Sequence, residues 1–403
     1  MNKFSTDFKL LFATRMLRMF AYGFLAVALA LYLARVGLDT SQIGWLISLT
    51  LAGDAIVSLW ITTNADRIGR RRMLIAGAVL MLVAGAIFAV TDNYILLVVT
   101  AIIGVISPSG NEVGPFLPIE QAALTQITPG DQRTRTFAWY NLLGSFSTAT
   151  GTLLSGVLVQ VLKNAGVADL ASYRSIVVVY AVLGVLLAVL FMFVSTGVET
   201  KPTEQPVGGR FGLTKSRNIV TWLSALFALD SFGSGLVLQS FMAYWFKAKF
   251  DLEPATLGSI FFAANILAGI SALSATWLAA RIGLINTMVF THIPSNILLM
   301  LVPLMPTLPL AILVLLMRFA ISQMDVPTRQ SYVMAVVTPG ERSAAAGITG
   351  IARSAGGALA PALTWTFASA FLSLPFIAAG ALKIIYDLAL YRGFVSVKPS
   401  EEK

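Results

Sequence analysis

The chain has no cysteine and a single histidine in 403 residues. Disulfide frameworks, thiolate metal sites and cysteine nucleophiles are therefore excluded, and so is any metal site built on several imidazoles. Charge is scarce too. Asp, Glu, Lys and Arg together make up 12%, where an ordinary soluble globule carries about a quarter. A glycine-rich phosphate loop ending in lysine, a Ser/His/Asp set and paired metal ligands are all missing. The chain is expected to be no enzyme and to need no cofactor and no metal.

What is present is apolar. Hydrophobic residues are 57% of the chain and the mean hydropathy is +0.81. Lipid must be the solvent for most of it, because apolar runs of membrane-spanning length recur from end to end, each broken by a short polar knot. Breaks at charge, Gly/Pro and Asn/Asp clusters predict helices near 8–35, 41–63, 72–91, 94–127, 133–161 and 172–196. Six more follow near 218–246, 255–280, 284–304, 308–337, 342–371 and 374–393. The first apolar run has no small-residue cleavage pattern and reads as a retained helix. The expected fold is an all-α integral membrane protein with twelve transmembrane helices in two pseudo-symmetric six-helix bundles. These bundles are residues 1–196 and 218–403, joined by a linker at 197–217.

Lysine and arginine divide unevenly between the two faces these spans define. Seventeen fall on the side of the termini and linker and five on the other. The positive-inside rule then places both termini and the linker in the cytoplasm. The net charge of +9 is scattered over short loops without aromatic interleaving, so it reports topology and contact with membrane lipids, and nucleic acid is not expected as a partner.

The second half repeats the first. LRMFAYGFLAVALALYL at 17–33 lies over LDSFGSGLVLQSFMAYW at 229–245, aligning Phe20 with Phe232, Gly23 with Gly235 and Tyr32 with Tyr244. ADRIG at 65–69 lies over AARIG at 279–283, PIEQA at 118–122 over PTRQS at 327–331, and TPGDQR at 128–133 over TPGERS at 338–343. Matches in one order at a nearly fixed offset argue for a parallel six-plus-six repeat, the arrangement that places a substrate site near the midplane.

Twelve spans, a central loop and the stretch NADRIGRRRML at 64–74 resemble the major facilitator superfamily. Its pattern Gly-x-Leu-Ala-Asp-Arg-x-Gly-Arg-Arg is matched by Ala65, Asp66, Arg67, Gly69, Arg70 and Arg71, whereas Thr62 and Asn64 depart from it. The resemblance implies that Asp66 helps to latch the cytoplasmic side shut, and a carboxylate does favour the positive end of a neighbouring helix. Arg67, Gly69, Arg70 and Arg71 are gating candidates with it. It also implies alternating access by a monomer in a membrane, taken as a bacterial inner (plasma) membrane.

Twelve charges remain within spans: Arg15, Arg18, Arg318, Arg329, Arg353 and Lys383 against Asp54, Glu112, Glu120, Asp230, Asp325 and Asp387. Each costs about 2.5–3.5 kcal/mol at a helix centre, so all must face protein or water. The repeat aligns Arg18 with Asp230 and Glu120 with Arg329, so equivalent positions carry opposite signs. Glu120 and Arg329 are expected to pair across the two bundles as a gate. Asp325 with Arg329, and Lys383 with Asp387, are spaced for local pairing along one helix face. Asp54 has no base within a turn in sequence, which suits a proton carrier. Asp230, Glu120 and Glu112 are further proton-coupling candidates. The substrate-cavity candidates are Arg18, Tyr22, Asn141, Gln239, Asp325 and Arg353. SPSGNEVGPFLPIEQ at 107–121 predicts an interrupted fourth span beside Glu112. His292 in THIPSN reads as hydrogen-bonded packing with a proton relay as the alternative, and the small-residue clusters of the fifth and eleventh spans as close helix contacts.

The functional expectation is a proton-coupled secondary active transporter that exports a small amphipathic drug or metabolite. The alternative is a transporter of a small organic anion bound by intramembrane arginines. The antiporter pattern is incomplete, since the fifth span lacks a Gly-Pro pair and the fourth lacks an arginine.

Overall fold

The computed structural model describes residues 6–129, 133–199, 216–338, 341–368 and 370–395, with the side chains of 66, 133–135 and 342–344 outside the description. The described residues are almost wholly helical. In chain order the helices are α1 (Thr6–Val36), α2 (Thr40–Ile68), α3 (Arg70–Val90), α4 (Tyr94–Ile103), α5 (Phe116–Ile127), α6 (Arg133–Asn164), α7 (Asp169–Met192) and α8 (Arg217–Leu236). After them come α9 (Gln239–Phe250), α10 (Pro254–Ile282), α11 (Leu284–Leu301), α12 (Leu308–Ile321), α13 (Asp325–Val336), α14 (Arg342–Ala368) and α15 (Leu374–Phe394).

Ten spans among the described residues are long and apolar enough to cross a membrane, with α8–α9 and α12–α13 each forming one of them. The α4/α5 pair and α14 stand where the fourth and eleventh spans were expected. The twelve-span reading therefore holds in outline. Large side chains such as Ile56, Ile95 and Phe193 are about 70% exposed, an apolar outer surface that hydrocarbon accommodates and water does not.

Local chemistry sets the helix ends. Asp39 accepts from the Gln42 backbone N–H at 2.8 Å while the Gln42 side chain accepts from the Asp39 N–H at 3.0 Å, a reciprocal cap on α2. Gly69 at φ 118° and Gly283 at φ 85° form the sharp links α2–α3 and α10–α11, a conformation that favours glycine. These two glycines are the last residues of the repeated ADRIG and AARIG strings.

Packing groups the chain into two compact units. One is Met1–Thr203 with Leu238–Asn265, and the other is Glu204–Val237 with Ile266–Lys403. In the first unit α1 is central and every residue from Ala21 to Leu33 is buried. It crosses α6 at backbone distance, since a Cβ on Gly151 would lie 2.1 Å from the Phe20 carbonyl oxygen. In the second unit α8 packs on α14 in the same way, with a Cβ on Gly356 placed 2.2 Å from the Ala228 carbonyl oxygen. The small-residue clusters thus act as close-approach faces, as their sequence implied.

Three spans are interrupted. The break at 104–115 between α4 and α5 follows from the Gly/Pro content of that stretch. Breaks at 237–238 and at 322–324 divide spans expected to be continuous. At the latter, Pro327 in the first turn of α13 has no N–H to return to the chain before it. Within the break, the part-buried Gln323 N–H donates to the Ser271 hydroxyl at 3.2 Å.

Replacement of Gly356 by Leu is expected to cost about 3 kcal/mol or more, because backbone must move to admit the side chain. Gly347→Ala on the same helix, where no atom lies within 4 Å of the added carbon, should be neutral. Melting of the purified detergent-solubilised variants distinguishes the two.

Candidate functional site

Each unit holds one buried cluster of charges on the elements just described. In the first, Arg18 of α1 makes a two-pronged contact with Glu120 of α5, both nitrogens at 2.8 Å and both side chains fully buried. The Arg18 Nε also donates to Glu112 at 2.9 Å, and Arg15 pairs with Glu112. Glu120 accepts further from Thr14 at 2.9 Å and from the Tyr140 hydroxyl of α6. Two arginines thus balance two glutamates, and the planar guanidinium of Arg18 lies 4.6 Å above the Phe116 ring.

The second cluster mirrors this with signs reversed. Asp230 of α8 binds Arg329 of α13 at 3.2 Å, and Arg329 also reaches Asp325 at 2.9 Å on its own helix. Lys383 of α15 donates to Asp230 at 2.6 Å, and Arg353 of α14 stands 3.8 Å from it. The expected gate pair is corrected here: Glu120 and Arg329 find their partners within their own units. Lys383 and Asp387 do not neutralise each other either, since Lys383 goes to Asp230 while Asp387 accepts from Asn296 at 3.1 Å and meets His292 at 2.8 Å.

The interrupted segment before α5 is secured by side chains. Asp54 of α2 accepts the Gly114 N–H at 2.7 Å and lies 3.3 Å from the Ser58 hydroxyl, with no ion pair among the described residues. Tyr22 donates to the Val113 carbonyl at 2.9 Å, Tyr180 to Val105 at 2.8 Å and Ser107 to Asn111 at 2.7 Å. These bonds satisfy backbone groups that a regular helix would have paired internally. Of the cavity candidates, Arg18, Tyr22 and Asp325 are buried and bonded, and Gln239 is buried with its amide oxygen on Asn265 at 3.1 Å. Asn141 is exposed. Arg353 alone combines a side chain 34% exposed with a buried nitrogen that makes no hydrogen bond.

At the loop after α2, the Arg67 side chain is exposed and that of Asp66 lies outside the described residues. The carboxylate seated on the N-terminus of α3 is that of Glu199, which accepts the N–H groups of Arg70 at 2.7 Å and Arg71 at 3.1 Å. The Arg70 guanidinium donates to Gln126 at 3.0 Å and to the Val198 carbonyl at 3.2 Å. The attraction between a carboxylate and a helix N-terminus is the one expected from sequence. The acid supplying it comes from more than a hundred residues away, which no local motif could reveal.

Sequence reasoning passed over Tyr140, Thr14 and Asn296. Only Asn296 carried a signal, being spaced i,i+4 from His292 within an apolar helix. Arg18→Gln is expected to lower stability by about 3–5 kcal/mol by leaving Glu120 buried without its cation. Adding Glu120→Gln should recover part of that loss in a double-mutant cycle of thermal unfolding.

With this geometry established, comparison with known proteins is informative. The Major Facilitator Superfamily profile matches residues 11–361. An uncharacterized membrane protein of Saccharomyces cerevisiae is 32% identical over 99% of this chain and 96% of its own. The quinolone resistance protein NorA of Staphylococcus aureus is 25% identical over 139 residues, 34% of each chain. Among solved structures, a bacterial homologue of the human lysosomal transporter Spinster superposes with a TM-score of 0.76 at 15% identity, covering 96% of this chain and 97% of that one. A D-xylose–proton symporter does so at 0.71 and 15%, covering 98% and 99%. These two likenesses concern the fold. Profile, yeast relative and membrane-length helices agree that the chain belongs to the Major Facilitator Superfamily and is an integral membrane transporter.

Proposed function

We propose that this transporter is proton-coupled, works by alternating access and exports a small amphipathic drug or metabolite, as a monomer whose termini lie on the cytoplasmic side of a plasma membrane. The observation that carries the reading is the burial of two ion clusters among lipid-facing helices, where ionisable groups are expensive and are retained for ion or substrate pathways. Asp54 is the coupling group of the first unit. A proton on it leaves no cation stranded, whereas a proton on Glu120 would remove the two-pronged contact with Arg18 and leave Arg15 and Arg18 to share Glu112. Asp230 and Glu112 remain coupling candidates, and the Asp66–Arg71 stretch serves gating. Export of an amphipathic compound is supported by the partial likeness to a quinolone resistance protein.

A second reading, transport of a small organic anion, is favoured by Arg353. Its Nη1 has no hydrogen bond, and its nearest acid, Asp230, already holds Lys383 and Arg329. Arg318 likewise has a buried Nε without a hydrogen bond.

Proteoliposomes with an acidic lumen should accumulate a fluorescent amphipathic dye and lose it when a protonophore collapses the gradient. Asp54→Asn should abolish accumulation while leaving downhill dye movement. Arg353→Gln should spare dye flux under the first reading, and abolish benzoate flux in the same vesicles under the second.

A further inference from the structure

From the coupling candidate Asp230 a line of polar groups continues through Lys383 and His292 to Asp387, where α8, α11 and α15 meet, and the mechanism proposed above leaves these three unused. Lys383 Nζ lies 2.6 Å from Asp230 Oδ1 on one side and 3.3 Å from His292 Nε2 on the other. His292 Nδ1 lies 2.8 Å from Asp387 Oδ1, whose second oxygen accepts from Asn296. All five side chains are buried. Gly233 on α8 makes the line possible, because a Cβ there would meet the Lys383 stem at 2.9 Å.

An ammonium has donors only, so the histidine nitrogen facing Lys383 must accept, and the ring's own proton must sit on Nδ1 toward Asp387. Asp230 has an abundance of cations in Lys383, Arg329 and Arg353 within 4 Å, whereas the hydrogen-bonding partners of Asp387 among the described residues are His292 and Asn296. Asp230 Oδ1 itself lies 3.9 Å from His292 Nε2, and among the described residues Tyr386 also stands beside the ring, with ring centroids 6.0 Å apart. Asp325 stands behind, on Arg329.

We propose that His292 and Lys383 share a mobile proton, so that the Asp230–Lys383–His292–Asp387 line is a proton-holding site of the second unit. In the transfer the Lys383 Nζ–H bond breaks and its electron pair stays on nitrogen as a neutral amine. The proton forms a bond to His292 Nε2, and the resulting imidazolium faces the Asp387 carboxylate. Asp230 retains Arg329 and Arg353, and a hydronium ion from the acidic side then protonates the amine and leaves water, which restores the ammonium for a net uptake of one proton. A charged histidine and a charged lysine would repel across 3.3 Å, so uptake turns the Lys383 head away from His292, loosening its contact with α11 while that with Asp230 of α8 remains. This inference rests on the proton-coupled reading of function.

His292 is the one histidine, so labelling the full-length protein with [15N]histidine reports on this ring alone. In alkaline buffer the ring should show a protonated Nδ1 and a bare Nε2. An Nε2–H form overturns the proposal without any variant being needed. On titration, Lys383→Met and Asp387→Asn should move the pH of ring protonation in opposite senses, each by at least one unit, a tenfold change in proton affinity. Unchanged midpoints in both overturn it. In proteoliposomes, His292→Asn should lose gradient-driven dye accumulation and keep dye counterflow. Full accumulation in that variant overturns the proposal, whereas a wild-type protein without proton-driven flux overturns the coupling reading and leaves the ring measurements to decide the shared proton.

Discussion

A charge within hydrocarbon is tolerable when an opposite charge of its own bundle reaches it, and the buried bridge from the first to the fourth span of each unit meets that condition. In one unit the arginine stands on the first span and the glutamate on the fourth. In the other the aspartate stands on the first and the arginine on the fourth. The polarity is inverted but the linkage is the same. Each of these bridges joins two helices of one unit.

This bridge also dictates where the backbone can be irregular. Arg18 reaches Glu120 on α5 and Glu112 in the break before it together. The break frees backbone groups that lipid cannot solvate. Asp54, Tyr22, Tyr180 and Ser107 take them up. Polar residues in the apolar spans thus fall into two sets, one that compensates charge and one that completes the backbone hydrogen bonding of an interrupted helix.

At the helix ends the same economy of charge applies over longer sequence distances. Glu199 neutralises the positive end of α3, and Gln126 joins its neighbourhood by accepting from Arg70 and donating to the Gly197 and Glu199 carbonyls at 3.1 Å. The residues that follow the sixth span are thereby bound to the loop carrying the family motif.

Composition and spacing alone established the membrane solvent, the approximate span count and the family, because each depends on a property summed over many residues or on a local string. The opposite signs of Arg18 and Asp230, and of Glu120 and Arg329, were legible from the repeat for the same reason. The partners were decided by tertiary structure. Lys383 stands one turn from Asp387 yet binds Asp230, and Asp387 takes His292, since helix rotation and the space left by Gly233 determine which side chains meet. Spacing along one helix names the neighbours a charge may choose among. For partners far apart in sequence, helix packing sets the distance of about 3 Å, and the energy of a buried ion pair depends on that distance and on what else surrounds it.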